Sequence, residues 1–169
     1  MYQVKRPSRS LFIPIRHLQY HVRLWGEATP GVPPLVMVHG WMDVAASYQF
    51  VVDAFAEAFA AGRQIIAPDW RGYGQTSLPG TDNYWFPDYL ADLDALLDHF
   101  SPDQPVDLVG HSMGGNVVML YAGARPARIR RQSHKLCAVH MRQPSAKAPT
   151  QYARPHHPQH NGPPQACHQ

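Results

Sequence analysis

The stretch "PVDLVGHSMGGNVVMLYAG", residues 105–123, narrows the possible folds of this chain more than any other. A mostly apolar run, Val106 to Val109, meets Gly110-His111-Ser112-Met113-Gly114, and a helix-like segment follows. Strand, G-x-S-x-G and helix in that order hold a serine on a sharp turn, where its hydroxyl can serve as a nucleophile. Three fixed positions recur by chance, so the flanking strand and helix carry the weight of the reading. Gly110 and Gly114 answer a steric demand, because so tight a turn needs unusual backbone angles and close strand–helix approach. A nucleophilic serine needs a base, and the base needs an orienting group.

Upstream, apolar runs alternate with helical patterns. Residues 11–26 read as two strands, "PLVMVHG" (34–40) as a buried parallel strand, and "QIIAPD" (64–69) as the next. Residues 47–62 place Tyr48, Val51, Val52, Phe55 and Phe59 at helical spacing, with Gly62 as the stop. Residues 84–100 form a second amphipathic helix, with Tyr89, Leu90, Leu93, Leu96 and Leu97 on one face. Strands alternating with helices imply an α/β fold with a mostly parallel sheet.

Two further motifs follow strands. "HGW" at 39–41 is a turn that can aim the Trp41 N–H into the site. With the N–H of Met113, just after the serine, it would form a two-donor oxyanion hole. "DWRGYGQTS" at 69–77 reads as a loop whose Asp69 ties down local structure rather than serving a triad. His39 and His111 are expected to be structural.

"VMVHGW", "APDWRGYGQTS" and "LVGHSMGGNV" together resemble the α/β-hydrolase family in order and spacing, most closely its serine hydrolases of esterase and lipase type. The resemblance covers about residues 10–131. It implies an eight-stranded sheet, with Ser112 after strand 5, the oxyanion loop after strand 3, and an ester-like small-molecule substrate. A serine at the elbow, where an aspartate would stand, argues against haloalkane dehalogenase or epoxide hydrolase chemistry.

The sequence also departs from the family. There the triad runs Ser, then Asp or Glu, then His, yet all 12 acidic residues here lie at or before Asp107. The histidines that follow Ser112 (134, 140, 156, 157, 160 and 168) show no strand-and-turn context that would present a base. Strands 6 to 8 are expected to be largely missing, which would leave strand 5 as an exposed parallel edge. From about Arg131 the composition turns to Pro, His, Gln and Arg, which cannot bury enough apolar surface to offset ordering. The expected organisation is a truncated α/β-hydrolase domain at 1–131 and a disordered tail at 132–169, with "LCAVHM" (136–141) as a short strand at most. The abrupt change suggests translation in another frame.

These features support a serine hydrolase by ancestry, weakly active at best for want of an acid and a base. The alternative is a non-catalytic fragment or frameshifted product with at most a binding role. No cofactor or metal is expected, since Cys137 and Cys167 have no ligand spacing. The net charge of +3 comes from scattered basic residues without aromatic interleaving, so no nucleic-acid partner is expected. No membrane span or signal peptide is evident, and a cytoplasmic location is expected. "LPGTDNYWFPDYL" (78–90) offers Trp85 and Phe86 as one wall of a pocket.

Overall fold

The short apolar runs at 35–38 and 65–68 become strands buried on both faces. The computed structural model describes residues 2–78, 80 and 84–135. The strands are β1 (Arg9–Ile15), β2 (Leu18–Trp25), β3 (Leu35–Val38), β4 (Ile65–Pro68), β5 (Val106–His111) and β6 (Ile129–Lys135). They form one sheet in the order β1-β2-β4-β3-β5-β6. The strands β4, β3, β5 and β6 run parallel, whereas β2 is antiparallel to both of its neighbours.

All four residues of β3 and of β4 are buried. Side chains alternate across the sheet, so Val36, Val38, Ile66 and Leu108 enter one apolar cluster while Leu35, Met37, Ile65 and Ala67 enter another. The first cluster is closed by two long helices, α3 (Phe86–Phe100) and α4 (Met113–Ala124), through Tyr89, Leu93, Leu96, Leu97, Val117, Val118 and Tyr121. The predicted face of α3 is the buried one, with Leu90 at its margin.

The helix expected over 47–62 is interrupted. A 3-10 turn (Ala45–Tyr48) leads into α1 (Gln49–Ala54), extended backbone follows at Phe55 and Ala56, and α2 (Glu57–Ala60) is a single turn. The cause lies in distant chain. The Arg6 guanidinium donates to the Val52 and Asp53 carbonyls at 3.0 and 3.3 Å. In a continuous helix those carbonyls would accept the Ala56 and Glu57 N–H groups.

At the other end, β6 corrects the expectation of an exposed β5 edge. It pairs in parallel with β5 along its length, and residues 132–135, expected in the tail, are its second half. Only Ile129 of β6 is apolar, so local propensity does not explain the strand. Backbone pairing does, helped by the ion pair of Arg130 with Asp107 on β5, which Arg63 also meets at 2.6 Å. The charged, exposed β6 now forms the edge, which discourages further strand addition. Residues 136–141, and the cysteines and histidines beyond them, lie outside the described residues. Among the described residues no helix is long and apolar enough to cross a membrane.

Candidate active site

The C-terminal ends of β3, β4 and β5 converge, and their following loops build the site. At the end of β5 the chain turns through Ser112 into α4. Ser112 has φ 52° and ψ −117°, a region that costs a residue with a side chain on the order of 1–3 kcal/mol. The surroundings enforce this turn through contacts at van der Waals limits. A Cβ on Gly110 would lie 2.4 Å from the Gly114 carbonyl oxygen, and one on Gly114 would lie 2.4 Å from that of Val38. The Ser112 N–H donates to the Lys135 carbonyl at 2.8 Å, so β6 also pins the elbow.

The turn after β3 lies against this elbow. A Cβ on Gly40 would approach the Ser112 Cβ to 2.9 Å. Trp41 follows Gly40 with its side chain 73% exposed, and Met42 has φ 57°. Met113 is the first residue of α4, so its N–H is among those a helix leaves without an internal partner. Trp41 and Met113 line one cavity of about 450 Å³, with Gly72, Tyr73, Tyr84 and Tyr89. The sequence-predicted residues Ser112, Trp41 and Met113 are therefore adjacent in space. Among the described residues the Ser112 hydroxyl has no hydrogen-bond partner.

The histidines near the elbow are committed elsewhere. His39 is fully buried, and its Nε2 accepts the Trp70 N–H at 2.9 Å. Its Nδ1 must then carry the proton and donate to the Gly40 carbonyl at 2.7 Å. Burial pushes the His39 pKa below its ordinary value, so the ring is neutral. His111 faces away from the cavity toward Asp43, 3.8 Å from its carboxylate. His134 is exposed on β6.

Asp69 supports loops. Its carboxylate accepts the Ala45 N–H at 2.7 Å, the Gln75 N–H at 2.9 Å and the His21 Nδ1–H at 2.7 Å. Arg71 in the same loop is buried and doubly bonded to Asp92 of α3, at 2.7 and 2.8 Å. Asp92 also accepts the Tyr20 hydroxyl at 2.6 Å. Burial opposes the charge on Arg71, but the Asp92 carboxylate outweighs it and raises the pKa above the ordinary value.

The expected segment lines the cavity through other aromatic residues. Trp85 is 73% exposed and Phe86 is also exposed, and neither lines the cavity. Tyr84 does, seated over Gly72, whose φ is +74° and whose Cβ would fall 2.6 Å from the tyrosine ring. The segment 78–90 does supply one wall, through Tyr84 and Tyr89 in place of Trp85 and Phe86, whereas Tyr73 on the loop after β4 has no counterpart in the sequence reading. Burial pushes Tyr89 up to about 12 and raises Tyr73, so these two side chains are uncharged near neutral pH.

A family model described as the alpha/beta hydrolase fold matches residues 33–132. Epoxide hydrolase A of Mycobacterium tuberculosis is 38% identical over 98 residues, covering 57% of this chain and 29% of that protein. A proline iminopeptidase of Clostridioides difficile is 32% identical over 112 residues, covering 66% of this chain and 37% of that one. The chain thus spans about a third of the length of these relatives. Among solved structures, the thioesterase domain from the curacin biosynthetic pathway superposes with TM-score 0.65 at 28% identity, over 76% of this chain and 46% of that one.

Proposed function

Because the chain belongs to the α/β-hydrolase fold family, we propose that it is a serine hydrolase for ester-like bonds, with Ser112 as nucleophile and low turnover in this 169-residue chain. The observation that carries the reading is the strained backbone at Ser112, packed against the Gly40 turn and followed by Met113, which lines one cavity with Trp41. Backbone strain kept at one half-buried hydroxyl is a mark of function. The similar proteins bear names of different reactions, so the residue at the elbow decides the chemistry. Opening an epoxide through a carboxylate ester would need an aspartate where Ser112 stands.

In the proposed reaction Ser112 Oγ attacks the ester carbonyl carbon. The developing oxyanion is taken by the N–H groups of Trp41 and Met113. The alcohol leaves, and water hydrolyses the acyl-serine. In this reading the hydroxyl proton passes to solvent; among the described residues no base touches Ser112 Oγ. An unassisted serine is a weak nucleophile, but oxyanion stabilisation and binding can outlast the loss of a triad partner. The aromatic cavity suits small neutral substrates.

The test is a comparison of p-nitrophenyl butyrate, prolyl-p-nitroanilide and styrene oxide with the purified chain. Slow release of nitrophenolate from the ester, without diol from the epoxide, is expected. Diol formation without ester cleavage overturns the reading.

A further inference from the structure

A Ser–His–Asp relay does exist among the described residues, but at another serine. On the β1–β2 hairpin the Ser10 hydroxyl lies 2.9 Å from His21 Nε2, and His21 Nδ1 lies 2.7 Å from Asp69 Oδ2. The proton positions follow from the partners. Both Asp69 oxygens already accept backbone N–H groups, Oδ1 from Ala45 and Oδ2 from Gln75, so Oδ2 acts as an acceptor toward His21 and His21 Nδ1 carries the hydrogen. His21 Nε2 therefore presents a lone pair, and the Ser10 O–H donates to it. His21 and Asp69 are buried, whereas Ser10 is exposed. Hydroxyl to imidazole to carboxylate, with the base fixed in one tautomer and the hydroxyl open to solvent, is the geometry that activates a serine.

Two neighbours bear on what could react there. Phe12 lies 5.1 Å from the His21 ring between centroids and is 49% exposed, an apolar surface beside Ser10. The strand β1 is a sheet edge, and an edge strand turns alternate N–H groups away from its neighbour, where they can hold an oxyanion.

We propose that Ser10 is a second, base-assisted nucleophile that is acylated by aryl esters independently of Ser112. Ser10 Oγ bonds to the ester carbonyl carbon as its proton passes to His21 Nε2, and the imidazolium is held by Asp69. The bond from carbonyl carbon to aryl oxygen then breaks, and the leaving aryloxide takes the proton from His21. The products are O-acyl-Ser10 and a phenol, with His21 neutral again.

The experiment treats the Ser112→Ala protein with p-nitrophenyl acetate and measures acetylation of each serine by peptide mass spectrometry. Ser47 is the reference, an exposed hydroxyl bonded to the Asp43 carboxylate rather than to an imidazole. General-base assistance predicts that Ser10 acetylates about 100-fold faster than Ser47. His21→Asn keeps an amide N–H donor toward Asp69 and removes the base, so the Ser10 rate falls by about the same factor in a chain that stays folded. Equal rates at Ser10 and Ser47, or a Ser10 rate unchanged in folded His21→Asn protein, overturn the proposal. Where that variant does not fold, the pH profile of the His21-containing protein decides. A Ser10 rate that rises and then levels as an imidazole loses its proton supports the relay, and a continuous log-linear rise overturns it.

Discussion

Replacing Gly114 by alanine sets two energies of opposite sign against each other. Helix propensity alone favours alanine over glycine by about 1 kcal/mol within a helix. The added Cβ, however, would sit 2.4 Å from the Val38 carbonyl oxygen, 2.6 Å from that of His39 and 2.9 Å from the Val38 carbonyl carbon. Ordinary contact begins near 3.4 Å, so the start of α4 must withdraw from β3 by about 1 Å. The obstruction is backbone inside a parallel sheet and has no rotamer to change. Overpacking of this kind costs about 1–3 kcal/mol, and the upper end is expected where backbone blocks relief. The same shift moves Ser112 away from Trp41, and a displacement of about 1 Å can cost roughly 100-fold in rate. Gly123, in the last turns of α4, has nothing within 4 Å of a built Cβ and serves as the control. Urea denaturation should show Gly114→Ala destabilised by about 2 kcal/mol and Gly123→Ala unchanged or more stable by up to about 1 kcal/mol. If both variants gain stability, the close approach of α4 to β3 is not real and the elbow geometry fails with it.

Other consequences follow from single contacts. Asp92→Asn removes the doubly bonded carboxylate of buried Arg71 and leaves the Asp88 carboxylate at 3.4 Å, and a loss of about 3 kcal/mol in urea titrations is expected; a loss below about 1 kcal/mol would mean that Asp92 is not the main counter-charge of Arg71. His39 is held neutral, with its folded pKa below the ordinary 6.5, so the unfolded chain binds the proton more readily. Its contribution is full above about pH 6.5 and is lost as pH falls toward the lowered folded value. Denaturation midpoints between pH 7 and 5 should fall less steeply in His39→Gln than in the parent. Gly72→Ala should displace Tyr84 from the cavity wall and raise KM for aryl esters more than it lowers kcat; an unchanged KM would remove Tyr84 from the binding surface.

The parts of the fold legible in the sequence are those fixed by near neighbours in the chain. The apolar runs of β3, β4 and β5, and the glycines around Ser112, record burial and close approach locally. The helix break at Phe55 was not legible because it is made by Arg6, more than forty residues upstream. The strand β6 was hidden for a related reason. "IRRQSHK" has little strand character of its own and is ordered by pairing with β5 and by Arg130 against Asp107. At the site, Ser112, Trp41 and Met113 could be placed from motif order. The tyrosine walls could not, because their position depends on the path of the 69–78 loop and on how α3 begins. Asp69 reads as a loop anchor in the sequence, and its bond to His21 joins residues 48 positions apart, which leaves no motif.

The proposal that Ser112 is the nucleophile is tested most directly by steady-state hydrolysis of p-nitrophenyl butyrate, after any single-equivalent burst, by the parent chain and by Ser112→Ala. The expected result is a slow rate, well below the ~1–1,000 s⁻¹ of ordinary enzymes, that drops to the buffer rate when Ser112 is replaced. A rate that is the same in both proteins would contradict it.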